Sequence, residues 1–237
     1  MKLAFLVFVA MATLAVEGSV VRFSGFTVCA RALVKHTIDP IRATNLNEKF
    51  GQMRSPAFLK PPEVEYLAAL KKWEAMPEGA ERDSLTDRFF AWEGWEFDEA
   101  HPFDPGILDL GKRYLWIFDY RGKLLVTEDR IFVYRHAGVE TLISHPILLG
   151  GAKGRIGGDL FFQKSERRWF AASLSGRYNG NYPFKDQPNR IAVFQDRSSA
   201  ELKHVVDAFR AGGAEIFARK PKHEEMLRNW WPKPPAN

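Results

Sequence analysis

From Arg113 onward the chain alternates side chains with a period of two, and this limits its fold more than any other feature. In RYLWIFDY, Tyr114, Trp116 and Phe118 alternate with Leu115, Ile117 and Asp119. Neighbouring residues of a strand face opposite sides, so this run has two faces to place. Arg121-Gly122 marks a tight turn into KLLVTED. RIFVYRH, TLISHPILL, DLFFQ, RWFAASLS and RIAVFQ continue the strand pattern to Phe194. Short strands with close turns predict a largely antiparallel sheet.

Helical patterns flank this zone. SPAFLKPPEVEYLAALKKWEAM has Pro62 at a first helical position, with Val64, Leu67, Leu70 and Trp73 at helical spacing. EGAERDSLTDRFFAWEGW repeats the pattern through Leu85, Phe89 and Trp92, which predicts a helical hairpin. The Pro- and Asp-rich stretch from Asp98 to Gly106 ends that zone as a loop. Beyond the strands, Ser198 precedes Glu201 in a capping-box pattern, Leu202, Val205, Val206 and Phe209 form one apolar face, and Gly212-Gly213 is a stop. AEIFA reads as a last strand, and KHEEMLRNWWPKPPAN as a short helix with a Pro-rich end. VVRFSGFTV, near the start, reads as a strand containing a Ser-Gly turn.

The expected class is therefore α+β: an N-terminal helical hairpin, then a mainly antiparallel sheet with a C-terminal helix packed on it. The expected division is a signal peptide over 1–18, a mixed and helical region over 19–106, the sheet domain with its closing helix over 107–220, and a tail over 221–237. The signal-peptide reading rests on Met1-Lys2 followed by LAFLVFVAMATLAV. That run is short for a bilayer span, which takes roughly 20 residues, and has the length of an export core. A buried first element is the other reading. Export predicts a secreted or periplasmic protein with no integral membrane segment once the leader is removed. The single cysteine, Cys29, excludes an intramolecular disulfide and a cysteine-based metal site.

Lysine and arginine total 34 against 29 acidic residues, a net charge of +5 that suits anionic partners such as nucleic acid, nucleotides or an anionic membrane surface. The interspersed charges equally suit a basic protein with a mixed surface. GGAKGRIGG lacks both GxxxxGK[ST] and GxGxxG. Its glycine pairs, Gly150-Gly151 and Gly157-Gly158, predict a turn and a bulge. Phosphate binding by Lys153, Arg155 and nearby backbone amides is the alternative. The six histidines include no HExxH and no helical i, i+4 pair, so no metal or cofactor is expected. Metal-free chemistry on a phosphate needs a base, an acid and a cation. His136, His145, Arg155, Arg168, Arg177 and Tyr178 stand in one predicted sheet and offer those groups. SLSGRY supplies Ser173 and Ser175 without a GxSxG elbow.

The stretches IFDYRGKLLV, ISHPILLGGAKGRIGGDLFF, AASLSGRY and SAELKHVVDAFRAGGAE, within Leu115 to Phe217, share an order of motifs. They resemble a module at the C-termini of bacterial polymorphic toxins and secreted effectors, in which a His-Ser-rich segment enters LLaG.pv..AGei and an apolar strand leads to SGHY before a helix ending in Gly. Arg177 stands here where that motif has His, and NGNYPFKDQPNR is a longer insertion. Arginine exchanges no proton near neutral pH but holds phosphate or carboxylate with two hydrogen bonds. The resemblance implies a secreted, effector-like setting rather than a mechanism.

Two functions follow. The first is an exported effector or toxin-like domain acting on an anionic substrate such as RNA or a nucleotide. Its expected catalytic groups are His145 as base, His136 as second proton carrier, Ser175 and Tyr178, with Arg155, Arg177 and Lys153 binding substrate. Catalysis predicts a concave pocket on which His145 and Arg177 converge. The second is a non-catalytic secreted or periplasmic module that binds a protein partner, for which Trp230-Trp231 would serve.

Overall fold

The strand over Arg113–Asp119 (β3) turns back at once into Leu124–Glu128 (β4), and the turn is built by its own aspartate. Asp119 accepts hydrogen bonds from the backbone N–H groups of Arg121, at 2.8 Å, and Lys123, at 2.9 Å. Gly122 takes φ of 80°, a conformation that costs glycine little. This hairpin sits at the centre of a seven-stranded sheet. The computed structural model describes residues 21–24, 39–82, 92–136, 139–173, 175, 177–178 and 188–219.

In chain order the elements are β1 (Val21–Ser24), α1 (Pro40–Phe50), α2 (Pro61–Glu74), β2 (Glu93–Phe97), β3, β4, β5 (Phe132–His136), β6 (Val139–Leu142), α3 (His145–Leu148), β7 (Gly154–Gln163), β8 (Arg168–Ala172), α4 (Pro188–Ala211) and β9 (Ile216–Arg219). The sheet order is β1-β2-β4-β3-β7-β8-β9, and β5 and β6 pair separately as a ribbon. Every neighbouring pair in the sheet is antiparallel except β8 with β9. The class is α+β, with the C-terminal helix packed on a mainly antiparallel sheet.

The alternation along β3 sorts its side chains into two cores. Tyr114, Trp116 and Phe118 pack with Leu202, Val205, Val206 and Phe209 of α4. Leu115 and Ile117 pack on the other face with Tyr66, Leu67, Leu70 and Trp73 of α2 and Ile147 of α3. The central strands are thus covered by helices on both sides. Among the described residues no helix is long and apolar enough to cross a membrane.

Several expectations change in the folded chain. RIAVFQ lies within α4 rather than in a strand, and Ser198 is inside that helix. A short apolar run cannot declare itself strand or helix by periodicity alone, and here it extends an amphipathic helix opened by Pro188. Glu93–Phe97 is a strand and not the end of a helical hairpin, because pairing with β4 buries Trp95 and Phe97. SHPILL enters α3, where Pro146 occupies a first-turn position that needs no N–H. Pro40–Phe50 is a helix capped by Asp39, whose carboxylate accepts from the Ile41 N–H at 2.7 Å. Residues 83–91 of the expected hairpin, the leader, Cys29 and Trp230-Trp231 lie outside the described residues.

The glycine pairs divide. Gly150-Gly151 form the turn after α3, with φ of 59° and 76°. Gly157-Gly158 are not a turn but the middle of β7, opposite Ile117 and Trp116. The register irregularity between β3 and β7 falls at Ile117/Asp119 instead. A Cβ on Gly158 would lie 1.8 Å from the Ala172 carbonyl oxygen and 2.8 Å from the Trp116 ring. No rotation relieves a clash with backbone. Gly158→Ala is therefore expected to cost about 3 kcal/mol or more, the upper end of overpacking penalties. Denaturant unfolding reads this directly, and a variant of parental stability would show that β7 and β8 do not approach this closely.

Candidate functional site

Glu63 is buried in the first turn of α2, where one carboxylate oxygen accepts the Lys60 backbone N–H at 2.7 Å. Its other oxygen accepts from the guanidinium of Arg177. An isolated charge this deep would be costly, so the pair exists because both members are there. Arg177 is further held by its carbonyl, which accepts from Ala57 N–H at 2.9 Å, and by Phe58, whose ring centre lies 5.1 Å from the guanidinium carbon. One carboxylate thereby caps a helix and fixes the arginine.

Arg177 and Glu63 form one wall of a cleft of about 600 Å³. Arg113, at the start of β3, and Asp159, in the middle of β7, also line it. The Arg113 guanidinium donates to Asp159 at 3.0 Å and lies 4.0 Å from Asp129. Burial pushes the Asp159 carboxyl up to about 6, with the Arg113 charge opposing and Asp129 adding to the rise. Ser144 also lines the cleft, and its hydroxyl has no hydrogen-bond partner among the described residues. Lys60, Arg130 and Glu140 complete its charged lining.

His145 and Ser175 lie behind this wall. His145 is buried, with Nε2 donating to the Gly158 carbonyl at 3.0 Å. Burial lowers its pKa to about 4, so the ring is neutral near pH 7. Its ring fits because Gly157 has no side chain: a Cβ there would sit 3.1 Å from His145 Cδ2. Ser175 donates its N–H to Gly157 at 3.3 Å, and its buried hydroxyl has no partner among the described residues. Tyr178 is fully buried, donates its hydroxyl to the Ala152 carbonyl at 3.0 Å, and has its own pKa pushed up by burial. It anchors the segment that carries Arg177.

The other expected residues lie elsewhere. Arg155 is buried and donates to Asn47 at 2.6 Å, Gly51 at 2.8 Å and Tyr120 at 3.4 Å, while its Nε has no partner among the described residues. It fastens α1 to the sheet. Lys153 is exposed on the turn before β7 and does not line the cleft. The backbone of His136 pairs with Val139 in the β5–β6 ribbon, and its side chain lies outside the described residues. Sequence reasoning missed Glu63, Arg113 and Asp159. The available signal for Asp159 was alternation: it stands two residues beyond Gly157, on the face that His145 meets.

A larger groove, about 800 Å³, opens between α1, the β3–β4 turn and α4. Its Arg121 and Lys123 are engaged by Asp119, Glu96 and Asp98, and Phe50 of its lining stacks on Phe118 at 4.0 Å. The smaller cleft has the unpartnered hydroxyl and the shifted carboxyl. Among the described residues no three His, Cys, Asp or Glu side chains gather as a metal site. No family model, curated protein or solved structure matches the chain.

Two buried groups set opposing pH dependences. The unfolded chain protonates His145 below about 6.5 and the folded chain only near 4. Between those values the unfolded state binds more protons, so acidification removes up to about 3 kcal/mol of stability through His145. Asp159 is raised from 3.8 to about 6, so the folded state binds more protons in that window. Its contribution is present at acid pH and is lost as the pH rises through 6. In Asp159→Asn this offset disappears. Denaturant titrations between pH 4.5 and 7 should then show a steeper loss on acidification than in the parent chain. Equal slopes would refute the raised Asp159 carboxyl.

Proposed function

We propose that the chain is an exported, effector-like domain that acts on a nucleotide-class anion, with the Glu63–Arg177 and Arg113–Asp159 cleft as its site. The observation that supports this best is the convergence of two carboxylate-held arginines on a cleft of about 600 Å³ that also contains a carboxyl shifted to about 6. Ligand pockets commonly fall at roughly 300–1,000 Å³. A guanidinium has five N–H donors, so an arginine paired with one carboxylate keeps donors for a phosphate.

The roles follow from position. Arg113 and Arg177 hold the phosphate from two sides, and Lys60 and Arg130 draw the anion in at the rim. Asp159 changes protonation near pH 6, which suits a general acid or base working close to neutral pH. His145, neutral and buried against Gly158, shapes the wall and takes no proton. Substitution of Arg for the motif's His at 177 fits a site that uses this position to clamp charge. The resemblance to secreted toxin modules and the apolar leader support export and effector action.

Protein binding is supported by a separate feature. Phe132 and Leu142, paired across the β5–β6 ribbon, are 54% and 43% exposed. That reading needs no cleft chemistry.

Calorimetric titration with AMP and NAD, at low salt, is expected to show saturable binding to the full chain. Arg113→Gln should weaken it by about tenfold or more, the scale of one charge-assisted hydrogen bond, with a modest fall in Tm because Asp159 loses its ion partner. Growth of a bacterial host expressing residues 19–237, with and without the leader, should show a defect confined to one compartment and relieved by Asp159→Asn. Absence of nucleotide binding together with unimpaired growth would move the assignment to protein binding.

A further inference from the structure

Four side chains stand in one transverse row across the edge half of the sheet. Arg113 on β3 is opposite Phe161 on β7, Phe161 is opposite Phe170 on β8, and Phe170 is opposite Phe217 on β9. Directly opposed residues share a face, so the three rings form a ladder with Arg113 at its inner end. The centroids of Phe161 and Phe170 are 6.2 Å apart and their planes differ by 26°. Those of Phe170 and Phe217 are 6.1 Å apart. None of the three rings belongs to either core cluster of the described residues. Phe161 and Phe217 are only partly buried. Helix α2 covers this face further inward, at Leu115 and Ile117.

Arginines border the ladder. Arg113 and Arg219 place their guanidinium carbons 5.7 Å and 5.3 Å from the Phe161 centroid, and Arg168 lies 4.7 Å from that of Phe217. The β7–β8 turn adds Lys164 and Arg167, with Glu166 as its one acid. Burying a bare aromatic row would call for apolar neighbours. Here the neighbours are planar cations, which stack on rings and also bind phosphate.

We propose that this ladder is a stacking platform for single-stranded nucleic acid, leading through Arg113 into the cleft. The inference builds on the nucleotide reading of the cleft and names its substrate as a strand rather than a free nucleotide. Each base has a π-face, so bases replace the guanidinium planes on Phe161 and Phe217, with the buried Phe170 ring holding the two in line, and the displaced arginines turn to the phosphates. Two part-exposed rings on β7 and β9 suit two bases. Arg113 is shared: it stacks on Phe161 and donates to Asp159, so the nucleotide after the stacked bases enters the cleft at the carboxyl shifted to about 6.

The test is fluorescence anisotropy of the full chain with labelled octa-adenylate, as RNA and as DNA, beside calorimetry with AMP. Phe161→Leu and Phe217→Leu keep apolar volume and remove the ring, and Tm checks that they fold. The octamer is expected to bind more tightly than AMP. Each leucine variant should lose about tenfold in octamer affinity, the scale of one base–aromatic stack, while AMP binding stays at the parent value. Arg168→Gln should lower the salt slope of octamer binding by about one. Tighter binding of the RNA octamer would assign the strand as RNA, and of the DNA octamer as DNA; either supports the platform. An octamer that binds no more tightly than AMP, or leucine variants that bind it like the parent, would overturn it. Ring-dependent octamer binding without AMP binding would leave the platform standing and sink the nucleotide reading of the cleft.

Discussion

The absence of side chains at Gly157 and Gly158 is the constraint on which this molecule turns. β7 is clasped there from both faces. On one, the Trp116 ring and the Ala172 carbonyl occupy the space a Cβ at Gly158 would need. On the other, the His145 ring lies in tight contact, 3.1 Å from where a Cβ at Gly157 would be. β3, β7 and β8 close into one continuous sheet because of this, and α3 can place a histidine against it. The site then follows from the pleat. Two residues beyond Gly157 the same face presents Asp159, and two beyond that Phe161.

Charged groups near the cleft act more through position than through net stabilisation. Glu63 and Arg177 are both largely withdrawn from water, and a pair of this kind offsets its desolvation without much surplus. What it supplies is definition: an arginine held in one orientation. Arg113, bracketed by Asp129 and Asp159, is held in the same way although it is half-exposed. His145 shows the converse. A histidine in a pattern of basic and hydroxyl residues suggests a base, yet full burial against a backbone carbonyl leaves it neutral to about pH 4 and makes Asp159 the group that titrates near neutrality.

The sequence by itself determined the sheet class and the two-faced burial of β3, because period-two alternation at Tyr114 to Phe118 has one geometric meaning. It also determined the α4 face at Leu202, Val205, Val206 and Phe209, the β3–β4 turn at Arg121-Gly122, and the last strand at Ile216, since these signals are local. The tertiary structure alone decided that RIAVFQ is helix, that Glu93–Phe97 is strand and that Gly157-Gly158 are strand interior. Each of those runs is locally ambiguous and is settled by what it packs against. The cleft itself was decided the same way. Glu63, Arg113, Asp159 and Arg177 come from four separate segments, and a pKa near 6 or 4 depends on water excluded by residues far away in the chain. Burial is a property of the assembled fold, and no spacing along the chain carries it.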